Sequence, residues 1–179
     1  MLLKLENFFD RFSNVMGWIA ALMTLVMLVN VFYDAIMRYF FRTGSIAMQE
    51  MEWHLFSIAF LFGMAYTLKE DGHVRVDIFY DNFSPRWKAI VNIGGVLILL
   101  LPLSVLIVEG SIWYVNESYT YSEISGDPGG LTHRWMIKAV IPAAFVFLII
   151  SAAGFVVRNI RIYRGLETPT EHHIEDDIL

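Results

Sequence analysis

Cysteine is missing from all 179 residues, and with it go disulfide staples, thiolate metal sites, iron–sulfur clusters and dithiol redox chemistry. The second shortage is local. Four long stretches, residues 13–33, 53–68, 89–108 and 139–157, hold no Asp, Glu, Lys or Arg. At about 1.5 Å rise per helical residue they reach roughly 24–32 Å, close to the thickness of a bilayer's hydrocarbon core. They do not alternate as barrel strands do, so the α-helix is the remaining way to satisfy their backbone polar groups in lipid. Only 17% of the chain is charged against 56% hydrophobic, and a soluble fold of that composition would need a core larger than so short a chain can cover.

What is present fits the same reading. The five tryptophans, Trp18, Trp53, Trp87, Trp113 and Trp135, fall near the ends of these stretches, where an indole keeps its ring apolar and its N–H wet. The expectation is an all-α polytopic membrane protein: a single four-helix domain over residues 1–164, with spans near 13–37, 48–68, 88–108 and 136–157, and an acidic tail over 165–179. Orientation follows the basic residues of short loops. Nine of the 13 lie on one side (Lys4, Arg11, Lys69, Arg75, Arg86, Lys88, Arg158, Arg161 and Arg164), leaving Arg38, Arg42, Arg134 and Lys138 on the other. Both termini are therefore expected in the cytoplasm. The first stretch is too long for a signal-peptide core and follows Glu6 and Asp10, which argues against cleavage.

Several polar features ask for a role. Leu2, Leu5, Phe8, Phe9 and Phe12 recur at helical spacing, which describes either an amphipathic helix on the inner leaflet or an early start to the first span. Asn30, Asp34 and Arg38 share one helical face. An Asp34–Arg38 pair at the membrane boundary is favoured over a proton or ion path, because both lie at the end of the span. Glu50 and Glu52 stand at the start of the second span, where carboxylates want cations. A lock between Arg38 and Glu50 is expected, with Arg42 or Glu52 as substitutes. Two acids without a neighbouring His or cleft are a weak enzyme signal, and a structural lock is favoured over carboxylate catalysis. His73, Arg75 and Asp77 alternate along a loop and read as structural at the inner leaflet, Arg75 also meeting lipid phosphates. His172 and His173 beside Glu171 and Glu175 read as solvated, not as a metal site. Gly63, Gly94, Gly95, Ala143, Ala144, Ala152, Ala153 and Gly154 offer small surfaces for packing against a partner.

The run Arg38-Tyr39-Phe40-Phe41, then Glu50, Phe60-Leu61-Phe62-Gly63-Met64-Ala65 and His73-Val74-Arg75-Val76-Asp77 resembles the small, DctQ-like membrane subunit of tripartite ATP-independent periplasmic (TRAP) transporters. The stretch Asp127-Pro128-Gly129-Gly130-Leu131, with Arg134-Trp135, Ile137-Lys138 and Ile141-Pro142, is similar to one large branch of that family. Glu52 and Trp53 depart from it, since many members have a small residue followed by Arg there.

The resemblance implies a subunit of the bacterial inner membrane that neither carries substrate nor holds a cofactor. It would bind a larger multi-span permease that contains the substrate and sodium sites, enlarge its stationary scaffold, and help dock a periplasmic binding protein that delivers an organic anion. The sequence lacks the unwound, Ser-, Thr-, Asn- and Gly-lined midplane segment that coordinates sodium in secondary transporters. Two other classes fit less well. A haem-bearing respiratory anchor needs histidines inside its helices, and His54, His73 and His133 lie at span ends or in loops. A small proton-coupled exporter needs a mid-span carboxylate, which neither Asp34 nor Glu109 supplies.

Overall fold

The computed structural model describes residues 2–72, 80 and 82–166. Among the described residues four long helices carry the chain: α1 (Leu2–Phe40), α2 (Ile46–Lys69), α3 (Pro85–Thr120) and α4 (Trp135–Tyr163). Each is followed by a residue whose backbone has turned left-handed: Arg42, Asp71, Ser122 and Gly165, with φ of 53°, 59°, 47° and 72°. After α2, α3 and α4 the stop is the same pair of hydrogen bonds, as in Gly165 N–H to Ile162 O and Leu166 N–H to Arg161 O, both 3.0 Å. Such pairs satisfy carbonyls that a helix end leaves free. Gly165 suits this conformation, whereas Asp71 and Ser122 adopt it at a steric cost.

Within α3, Val96–Leu100 widen into one π-helical turn. Pro102 lies two residues past the end of this turn; it lacks an N–H, and its ring crowds the carbonyl four residues back, inside the turn. The wider turn absorbs that clash and the helix runs on.

α4 is central. It packs on α1, α2 and α3, and α1 also packs on α2, while α2 and α3 leave a groove between them. Of α4's most apolar stretch, 33% is buried in the protein, against 11% for α1 and α3. Leu68, Val96, Leu148, Ala152 and Phe155 join α2, α3 and α4 in one cluster. Phe147 meets Phe12 and Phe62 edge-on at 5.6 and 5.2 Å, joining α4 to α1 and α2.

Lipid tails are as apolar as the helices, so helix association needs close contact more than burial of apolar area. The chain provides it with small residues. Ser104, Ser111 and Ser118 are all buried, and their spacing of seven keeps them on one seam of α3, turned to α4. Ser13 and Ser151 hydroxyls meet at 2.8 Å between α1 and α4. A Cβ on Gly154 would lie 2.5 Å from Phe9, and one on Gly17 would lie 2.7 Å from Tyr66. Ala144, Ala152 and Gly154, expected to face a partner, are buried inside the chain itself. Gly94 and Gly95 do have open space around them.

α1, α3 and α4 are long and apolar enough to cross a membrane. α2, with 24 residues, has the length at about 36 Å, but Glu50, Glu52 and His54 make its first half more polar. The helices outrun the expected spans. α3 reaches Thr120, not 108, because residues 109–120 hold one glycine and no proline. Residues 2–12 enter α1 without a break; Phe9 and Phe12 pack against α4, while Leu3, Leu5 and Phe8 stay exposed.

Candidate functional site

One end of the protein gathers the start of α2, the end of α3, the start of α4 and the loop 121–134. Its organising group is Glu50, buried to 8% exposure in the first turns of α2. Its carboxylate accepts hydrogen bonds from Ser125 Oγ and from the Leu131 backbone N–H. The loop is shaped to offer both donors. Pro128 and Gly129 form the corner of a tight turn, with Gly129 at φ 85° and Gly130 N–H on Asp127 O at 3.0 Å. Proline followed by a residue of positive φ is the chemistry of a type II turn. Ser125 N–H to Leu131 O at 3.0 Å and Arg134 N–H to Glu123 O at 3.1 Å close the base of the loop. Gly130 is glycine for a steric reason: a Cβ there would lie 2.8 Å from Glu50 Oε2 and 2.5 Å from Ser125.

A second layer flanks this latch. Glu123 pairs with Lys138 and, at 3.8 Å, with Arg134. The Lys138 ammonium holds the Glu123 carboxyl below the usual carboxylate range. Lys138 also sits 3.9 Å from the Tyr114 ring centre, and Arg134 sits 5.6 Å from that of Trp53. Trp135 meets Tyr119 edge-on at 5.4 Å.

The expected Arg38–Glu50 lock does not form. Arg38 pairs one turn back along its own helix with Asp34, whose side chain is 2% exposed, as their spacing on α1 allows. Glu50 instead turns toward the loop. Glu52 is half-buried and forms no ion pair among the described residues. Asn30 Nδ2 donates to Met48 O at 2.9 Å and helps fix α1 to α2. Gly63 lies near Ala20, and Pro142 is inside α4. His73, Arg75 and Asp77 lie outside the described residues, as do His172 and His173. Among the described residues no cluster of His, Cys, Asp or Glu could hold a metal.

Sequence reasoning did not find Ser125, Gly130 and the Leu131 amide as partners of Glu50. The Asp127-Pro128-Gly129-Gly130 turn signal was visible, but which distant charge it would capture was not.

The opposite end is polar too. Arg161 pairs with the buried Glu6, Lys69 Nζ donates to Asn14 Oδ1 at 2.8 Å, and Asn92 Nδ2 donates to Asn159 Oδ1 at 2.9 Å. Between the two ends the helices carry no charge: none lies between Arg11 and Asp34, Glu52 and Lys69, Lys88 and Glu109, or Lys138 and Arg158.

This architecture is that of a helical membrane protein whose charged side chains are confined toward its two ends. The family model described as "Tripartite ATP-independent periplasmic transporters, DctQ component" matches residues 27–162, and the chain belongs to that family, the small permease subunits of TRAP transporters. It is similar to two Haemophilus influenzae proteins provisionally named TRAP transporter small permease protein. One is 27% identical over 163 residues, covering 89% of this chain and 98% of the relative. The other is 24% identical over 149 residues, covering 83% and 86%.

Glu50→Ala and Gly130→Ala should each release the loop. Hydrogen bonds to a charged group are worth about 1.5–3 kcal/mol, so hydrogen exchange at the Leu131 amide should accelerate more than about tenfold in either variant and stay unchanged in Arg38→Ala. Unchanged exchange in the first two would remove the latch.

Glu123 gives the loop a pH dependence. Its folded-state pKa is depressed, so its contribution is complete above the ordinary carboxylate range and is lost as pH falls through the folded value. Exchange across 121–134, corrected for its intrinsic pH dependence, should rise on acidification below that range. Glu123→Gln should flatten the response.

Proposed function

We propose that this chain is the small scaffold subunit of a sodium-coupled TRAP importer for organic anions in the bacterial inner membrane. All four helices cross the bilayer, with both termini cytoplasmic and the 121–134 loop periplasmic. The chain stabilises the large permease, which holds the substrate and sodium sites, and presents a periplasmic surface to the binding protein. It performs no enzymatic step and needs no cofactor.

The observation that carries this reading is the separation of polar groups to the two ends. Carrying an ion or anion across requires charges or broken helix ends near the midplane, and here the middle of the described helices is unbroken and carries no charge. The exposed apolar faces of α1 and α3, such as Leu25, Leu28, Phe32, Ile98 and Leu106, supply surface for lipid and for a larger helical partner. The fixed loop at the other side of the Glu50 latch supplies a rigid surface in water. Family membership supports the import role.

Topology is read with single cysteines, which the native sequence leaves free for use. Ser45→Cys and Gly126→Cys should react with a membrane-impermeant thiol reagent added from the periplasm, and Ser84→Cys and Thr168→Cys should not. Ser45 and Ser84 flank α2, so equal labelling of both would show that α2 does not cross.

Function is read in proteoliposomes. Sodium-driven uptake should require this chain, a large permease and a binding protein together. Uptake by this chain alone would refute the scaffold role.

A further inference from the structure

The groove between α2 and α3 has a cavity of about 420 Å³. Its floor is α4, through Ile137 and Ile141, and its α2 wall runs from Trp53 to Leu61 by way of Phe56 and Phe60. Those α2 residues cover about 12 Å of helix, most of the depth of one leaflet. The mouth is built differently. Arg134 and Lys138 line it, at the level of Trp53, an interfacial residue type.

The two cations share the carboxylate of Glu123, and they do so unequally. Lys138 takes a close pair, while Arg134 Nε stands 3.8 Å away and is buried without a hydrogen-bond partner. The Arg134 guanidinium has five donors and donates no hydrogen bond to a described residue. The Glu50 carboxylate is occupied by Ser125 and Leu131. Donors left unused at a partly dehydrated depth are costly, and a guanidinium fork matches phosphate oxygens.

We infer that this groove is a binding site for one phospholipid of the adjoining leaflet, with its phosphate on Arg134 and Lys138 and one acyl chain along Phe56, Phe60 and Ile141. The volume argues for a lipid tail over a partner helix: a helix 10–12 Å across would fill roughly two to three times that space over the same length. The charges argue for a phosphodiester over hydrocarbon alone. A lipid in this position wedges α2 against α3, beside the cluster of Leu68, Val96 and Leu148 that joins both to α4. The inference rests on α2 crossing the bilayer, as proposed above.

The test is native mass spectrometry of the full chain extracted from membranes in mild detergent. The wild type should retain one phospholipid. Ser57→Trp, which fills the groove and leaves every charge in place, should cut that adduct about tenfold or more, and Arg134→Gln with Lys138→Gln should do the same. Displacement of the wild-type adduct by inorganic phosphate would overturn the lipid assignment in favour of a simple anion site. Efficient cross-linking of Ser57→Cys to the large permease in membranes would overturn it in favour of a protein occupant. If Ser45→Cys and Ser84→Cys label as proposed while both groove variants keep their lipid, the lipid site fails and the topology stands.

Discussion

Glu50 is one carboxylate at the edge of the apolar zone, and the assembly of the chain depends on how it is satisfied. Left unpaired there it would cost several kcal/mol, as any ionised group at a dehydrated depth does. Its two partners come from the other half of the sequence, Ser125 and Leu131, so the α1–α2 hairpin is tied to the α3–α4 hairpin at that end. A neutral hydroxyl and an amide serve here, not a cation. The bond therefore fixes direction, since the amide of Leu131 points only where the loop backbone aims it. That is why the loop carries a proline, a left-handed glycine and a second glycine that can have no side chain.

The apolar middle obeys the opposite rule. With lipid on most sides, burying apolar area gains little, and the helices are joined by fit. The serine seam of α3, the Ser13–Ser151 contact and the Phe9–Gly154 and Tyr66–Gly17 contacts are all places where a small residue lets a backbone or ring come close. These joints are weak individually and directional collectively. α3, held mainly along α4, leaves exposed apolar surface and a groove beside α2.

Much of this was legible in the sequence. The charge-free stretches gave the helices, and the acid-first spacing of Asp34 and Arg38 gave their pair, because both are local properties. Helix ends were less legible. A span is marked by where charge resumes, and a helix by where its backbone turns; α3 passes Glu109 and Glu117 and stops at Ser122, a residue with no strong stop signal. Long-range pairing was least legible. Glu50 was correctly seen to need a partner, but proximity in sequence pointed to Arg38, which Asp34 had already satisfied. Likewise Ala144, Ala152 and Gly154 look the same in sequence whether their neighbour is α1, α3 or another protein.

The same features bear on the scaffold role proposed above. Alternating access needs an element with two arrangements of similar free energy. Here each end is closed by charged or hydrogen-bonded contacts between different helices, Glu50 with the loop at one end and Glu6 with Arg161 at the other. A rocking motion would have to break contacts at both ends together, and the middle of the described helices it opened would present serine hydroxyls but no charged side chain. The π turn at Val96–Leu100 relieves a proline and is flanked by unbroken helix, so it bends α3 without dividing it. Contacts that close both ends together suit the proposed scaffold role, because a scaffold has to keep one arrangement while its partner works.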